Sequence, residues 1–250
     1  MTRLEIPVLG VVPVTHDDRE APSGCAAARL LGGAPLLGRA VSALVRSGVI
    51  ERVLVPVPPA LAGQVSDLVA GLSGRARVEV IPVHDNGPGI RLLAALRACP
   101  PSADGLVVVH DPLHPLAPPS LVVSVVETLI EHGSGCAGVL PIRPVTDTLK
   151  AIDEDDVVTA TADREIYRMV YSPQAYRVRP LLAALEAASL GALRERGADR
   201  LPRLVQDSGG RLVTVAAPGE VFRIATADDL ILAEAMLHVG MDDDAKPVRH

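Results

Sequence analysis

At 250 residues the chain has room for one large α/β domain or two small ones, and with 48% apolar residues it can bury a sizeable core. Only three Tyr, one Phe and no Trp are present, so that core must be built from Val, Leu, Ile and Ala, a mixture that favours helices packed on a parallel sheet. A net charge of -6 with no Lys/Arg cluster argues against nucleic acid as the main partner, because affinity for a phosphate backbone is largely electrostatic.

In chain order, the apolar runs Ile6 to Val14, Arg52 to Pro58, Val78 to Val83, Leu106 to His110 and Cys136 to Ile142 read as buried strands. Between them, Pro35 to Ser47, Leu61 to Leu72, Gly89 to Ala98 and Pro119 to His132 repeat apolar residues at three and four, as helices do. Strands alternating with helices imply right-handed crossovers, and the fold class expected is α/β: a doubly wound, mostly parallel sheet flanked by helices. The alternation breaks after Ile142, and the acidic, Pro- and Thr-containing stretch that follows is expected to project as an arm over 143–160. Beyond it the pattern predicts a strand at Ile166 to Tyr171, helices at Pro180 to Ala188 and Leu201 to Val205, and a strand at Arg211 to Val215. Thr226 or a neighbour should cap a closing helix, Ala227 to His238, and 241–250 reads as a flexible tail on a single domain spanning 1–240. Cys25, Cys99 and Cys136 are widely spaced and odd in number, which suggests neither a disulfide framework nor a zinc site. With no leader pattern and no apolar run of spanning length, the expectation is a cytoplasmic protein with no membrane contact.

Ligands of doubly wound sheets bind outside the carboxyl ends of the strands, so the segments after Val14, Val83, His110 and Ile142 are the places to search. Asp111 follows an apolar strand; a carboxylate there either holds Mg2+ or a ribose hydroxyl, or orders the turn before Pro112. His110 and His114 are four apart, but Pro112 between them removes helical geometry and favours structural roles. Thr146, Asp147, Thr148 and Lys150 could recognise a phosphate ester or form a polar hairpin edge, and Arg164 could fork a phosphate or lie solvated. The loop from Thr15 to Leu30 lacks the glycines and Lys of a phosphate cradle and carries Asp17, Asp18 and Glu20 instead. Asn86-Gly87-Pro88-Gly89 reads as a strand-to-helix turn whose glycines could also admit a ligand.

Four segments, in order, resemble those of the 2-C-methyl-D-erythritol 4-phosphate cytidylyltransferases. These are Val107-Val108-Val109-His110-Asp111-Pro112, Pro141 to Lys150, Ala162-Asp163-Arg164 with Tyr171-Ser172-Pro173-Gln174, and Phe222 to Leu230. The resemblance implies transfer of CMP from CTP to a sugar-alcohol phosphate with Mg2+, in a homodimer whose arms complete the neighbouring site. It further implies nucleotide binding by Pro13 and Asp111, metal contact by Asp111 and Glu220, substrate contact by Thr146, Asp147, Lys150, Arg164 and Ser172, and a catalytic cation at Arg223, with Arg19 the candidate for a second as a replacement. The sequence departs from the family at the triphosphate: the Gly-rich loop and its Lys are lost, Pro88 stands where an Arg is expected, and His114 replaces another Arg. Such donors stabilise transferring phosphoryl groups, so weak or no turnover is expected unless Arg19, Arg29 or Arg91 substitutes. The alternative is a non-catalytic homologue that binds a sugar phosphate or a protein partner.

Overall fold

The computed structural model describes residues 6–14, 25–72, 74–85, 87–195 and 200–244. The first half is the expected alternation: β1 (Val8–Val11), the short hairpin strands β2 (Leu30–Leu31) and β3 (Ala34–Pro35), α1 (Leu36–Arg46), β4 (Arg52–Val57), α2 (Ala62–Val69), β5 (Arg77–Pro82), α3 (Pro88–Ala98), β6 (Leu106–Val109) and α4 (Pro119–Glu131). Proline opens both α3 and α4, where its missing N–H costs nothing and its fixed φ already suits a helix. In β4, Val53 and Val55 join a core beneath α1, α2 and α4, while Leu54 joins a second core beneath α3. This double burial explains why the strands read as unbroken apolar runs.

β7 (Gly138–Pro144) is followed by the hairpin β8 (Lys150–Ile152) and β9 (Val158–Thr161), then β10 (Arg168–Val170), β11 (Gln174–Arg177), α5 (Val178–Ala187), α6 (Leu190–Arg194), α7 (Arg200–Asp207), β12 (Leu212–Ala216) and α8 (Ala227–Asp244). The main sheet has eight strands, with β1 between β4 and β6, all parallel, and β5 parallel beyond β4. β11 runs antiparallel between β6 and β7, β10 runs antiparallel to β7, and β12 runs parallel to β7. The sheet is therefore mixed but mostly parallel, and helices flank it.

Several boundaries differ from the sequence reading. Arg143 and Pro144 belong to β7, so the arm begins later than the expected 143, and it ends with β9 at Thr161; the residues of β8 and β9 are all exposed. Ile166 lies in a 3-10 turn, Arg164–Ile166, ahead of the strand predicted to contain it. β11, α6 and the β2–β3 hairpin were not anticipated, because each is too short for periodicity to register. α8 passes the predicted His238 end and runs to Asp244; its start is fixed by reciprocal bonds, Asp229 N to Thr226 Oγ1 at 3.1 Å and Thr226 N to Asp229 Oδ2 at 2.8 Å.

Arg177, at the end of β11, ties this inserted strand to α4. Its Nη2 donates to Leu129 O at 2.9 Å and Gly133 O at 2.8 Å, and its Nε to Cys136 O at 3.0 Å, which bridges a carbonyl of the last turn of α4 to the turn that follows it. Replacing Arg177 by Met keeps the apolar stem and removes these charge-assisted bonds. The expected result in urea unfolding is a loss of about 1.5–3 kcal/mol, seen as a lower midpoint at unchanged slope.

Candidate functional site

Because β11 runs against β6, its first residues lie beside the carboxyl ends of the parallel strands, with Gln174 paired to Val109. Pro13 after β1, Asp111 after β6 and Ser172 before β11 thus line one cavity of about 210 Å³, together with Arg223 from the segment before α8. The opposite wall is apolar and comes from α3, α6 and α7, through Pro88, Leu92, Leu193, Leu201 and Leu204.

Asp111 is held from several sides. Its Oδ1 accepts from Leu113 N at 2.9 Å, and its Oδ2 lies 3.4 Å from Arg223 Nε and 3.5 Å from His114 Nδ1. Burial alone would raise its pKa, but His114, the Leu113 N–H and Arg223 outweigh that and hold the carboxyl at about 2. Asp111 is an anion at any physiological pH. Ser172 Oγ accepts from Asp111 N at 2.8 Å and lies 2.8 Å from His110 Nδ1. His110 is fully buried; desolvation, with help from His114 and against the pull of Asp111, pushes its imidazole from 6.5 down to about 3, so it is neutral. His114 is 2% exposed and stands edge-on to Tyr171, with ring centroids 6.2 Å apart. His114 thus touches Asp111, and His110 touches Ser172, which accepts from the Asp111 N–H.

The glycines of the turn before α3 have a definite use. A Cβ on Gly87 would sit 2.9 Å from Leu193 O, and one on Gly89 would sit 2.9 Å from Leu193 Cδ2. They make room for α6, which closes the cavity, and the ion pair of Arg194 with Asp85 at 3.0 Å holds it there.

The remaining sequence-derived candidates divide into groups. Arg19, with Asp17, Asp18, Glu20 and Asn86, lies outside the described residues. Thr146, Asp147, Lys150 and Arg164 lie on the arm, away from this cavity: Arg164 Nη1 donates to Thr146 O, and Lys150 Nζ donates to Thr161 Oγ1 at 2.6 Å. Arg164 and Arg168 flank a shallow groove there. Glu220 is exposed and not among the cavity's lining residues. Of the suggested replacement cations, Arg29 donates through Nη2 to Ile224 O at 3.0 Å, and Arg91 is fully buried with Nη1 donating to Val14 O at 2.7 Å. Neither lines the cavity. Arg200 does, paired with Glu195 at 2.8 Å, and sequence reading passed over it because a lone Arg in a short helix carries no pattern. Among the described residues, no three His, Cys, Asp or Glu side chains gather as a metal cage, and no helix is long and apolar enough to cross a membrane.

A mostly parallel sheet flanked by helices, with an acidic and a basic side chain facing each other at its carboxyl edge, is a doubly wound α/β fold whose candidate site lies where such folds bind ligands. The profile of the family described as 2-C-methyl-D-erythritol 4-phosphate cytidylyltransferase matches residues 12–239, and the chain belongs to that family. Proteins of that name from Frankia casuarinae and Rhodococcus jostii are 32% and 36% identical to it, covering 92% and 84% of this chain and 81% and 85% of their own. The crystal structure of 4-diphosphocytidyl-2C-methyl-D-erythritolsynthase from Anaerococcus prevotii superposes with a TM-score of 0.76 at 19% identity, covering 93% of this chain and 99% of its own.

A pH effect on stability follows from His110. Its pKa is depressed on folding, so between pH 6.5 and about 3 the unfolded chain binds the extra proton and stability falls as pH falls. Urea midpoints measured from pH 7 to pH 4 are expected to drop, with a limiting slope near 1.4 kcal/mol per pH unit for one proton, and His110→Asn is expected to flatten that drop.

Proposed function

We propose that this protein transfers CMP from CTP to 2-C-methyl-D-erythritol 4-phosphate or a closely similar polyol phosphate, releasing pyrophosphate, with Mg2+ as cofactor. The convergence of Asp111, Ser172 and Arg223 at the sheet's carboxyl edge, in a chain of this family, carries the reading. In this reaction an acceptor phosphate oxygen attacks the α-phosphorus of CTP, and the bond to the α–β bridging oxygen breaks. That oxygen leaves with the electron pair as part of pyrophosphate.

Bound Mg2+ supplies charge neutralisation on the phosphates. Asp111, ionised and in the cavity, is the described carboxylate fit to hold it, since this ion commonly takes one or two carboxylates and completes its shell with phosphate oxygens and water. Arg223 contacts Asp111 at 3.4 Å while 47% exposed, a weak solvent-screened pair that an incoming phosphate can break at little cost. Freed, its guanidinium forks a phosphate. Arg19, from the segment after β1, would add a second cation. Pro13, which lines the cavity, would stand at the nucleotide end.

The arm residues Thr146, Asp147, Lys150 and Arg164 would serve the acceptor phosphate of a second copy. Ile152, Val158, Ile166, Tyr167 and Met169 all lie exposed along the arm or at its return to the sheet, an apolar surface that a homodimer would cover.

Arg164→Ala is expected to weaken 2-C-methyl-D-erythritol 4-phosphate binding by roughly 1.5–3 kcal/mol in calorimetry, with little change in melting temperature. Light scattering should give a dimer, and removing 147–163 should give monomers. Mixed dimers of Arg164→Ala and Asp111→Asn should release pyrophosphate when neither variant alone does; no recovery on mixing would sink the exchanged-arm arrangement.

A second reading rests on Arg29 and Arg91, whose guanidiniums face main-chain carbonyls away from the cavity. With the Gly-rich loop lost, the same acceptor site would then serve a non-catalytic homologue that binds a sugar phosphate or a protein partner. Titration with CTP and Mg2+ separates the two: micromolar affinity with pyrophosphate release supports transfer, and acceptor binding without CTP binding supports the homologue.

A further inference from the structure

The hydrogen-bond inventory around Ser172 carries more than its place in the cavity. Its Oγ has two lone pairs and one proton. One lone pair accepts from Asp111 N at 2.8 Å. The other partner, His110 Nδ1 at 2.8 Å, admits two arrangements, depending on which ring nitrogen carries the hydrogen.

If His110 carried its hydrogen on Nε2, Ser172 would spend its only proton on Nδ1, and an N–H would be left in the interior. Nε2 is buried and has no hydrogen-bond partner among the described residues, so that N–H would be a buried donor without an acceptor. Such donors are rarer and costlier than a bare ring lone pair in the same place. With the hydrogen on Nδ1, by contrast, His110 donates to Ser172 and nothing is orphaned but an acceptor. Both lone pairs of Ser172 are then filled from inside the protein, and its O–H has only the cavity left to serve.

We infer that His110 is a positioning residue, which fixes its own Nδ1–H tautomer and thereby commits the Ser172 hydroxyl proton to the ligand in the cavity beside Asp111. Ser172 is 4% exposed, so this proton is delivered at a fixed point and not from a freely rotating surface hydroxyl. The arrangement makes the inner end of the cavity a donor site: the Ser172 O–H and the Arg223 guanidinium point at whatever anion approaches, and neither can accept from it. For a group that bridges Ser172 and Arg223, a phosphate oxygen is the chemistry that fits. This rests on the phosphate-ester reading above for the ligand, but not for the tautomer.

Two measurements test it. In ligand-free wild-type protein, long-range proton–nitrogen NMR is expected to give His110 a pyrrole-type Nδ1 and a pyridine-type Nε2; the reverse pattern overturns the inference whatever the cavity binds. In calorimetry with 2-C-methyl-D-erythritol 4-phosphate, Ser172→Ala and His110→Leu should each weaken binding about tenfold, and the double variant should be no worse than either. His110→Asn, whose amide can donate to Ser172, should recover affinity that His110→Leu loses. Additive losses, or a recovery by Leu equal to that by Asn, would show that His110 acts through packing alone. A wild type that binds neither this ester nor inorganic phosphate removes the functional reading, while the nitrogen shifts still decide the tautomer.

Discussion

The site depends on one pairing, the antiparallel insertion of β11 between β6 and β7. In a purely parallel doubly wound sheet every strand begins at the edge opposite the ligand, so a residue preceding a strand cannot reach the site. Reversing one strand brings its beginning to the ligand edge. That places Ser172 where its Oγ can take the Asp111 N–H, and it couples two segments 61 residues apart into one polar cluster. Arg177 at the other end of β11 fixes the strand against α4, so the position of Ser172 is set at both ends.

The cavity's electrostatics follow from how its charges are distributed. Asp111 stays ionised because an N–H, an imidazole and a guanidinium all favour the anion more than burial opposes it. Cations elsewhere in the neighbourhood are engaged with the backbone: Arg29 braces the carbonyl of Ile224, and Arg91 braces the end of β1. A charge aimed at a carbonyl inside the protein strengthens the frame, but it is withdrawn from anion binding. Among the described residues, what the cavity offers directly is Arg223, loosely paired, and Arg200, paired with Glu195 across the wall formed by α6 and α7.

The arm stands apart from this economy. β8 and β9 pair only with each other, in a hairpin whose residues are all exposed, and an isolated two-stranded hairpin is marginal in water. Its phosphate-binding candidates hold one another through Arg164 and Thr146 and meet nothing in the main cavity. Its exposed Ile152 and Val158 leave apolar surface uncovered within this chain.

The sequence alone determined the layered α/β core, because strands buried on both faces must be apolar throughout and amphipathic helices must repeat at three and four; Val53 to Val57 and Leu36 to Leu44 carry those patterns openly. It also marked Asp111, by its place after an apolar strand as well as by the family's motifs, and Ser172 and Arg223 through those motifs alone. What it could not contain was β11: Gln174, Ala175, Tyr176 and Arg177 alternate like no strand pattern, and they are a strand because β6 and β7 leave a gap between them that needs filling. For the same reason the uses of Gly87 and Gly89, the inward turn of Arg91 and the place of Arg200 in the cavity wall were decided only in three dimensions. Each depends on which distant element arrives beside it, and local residue order does not encode that arrival.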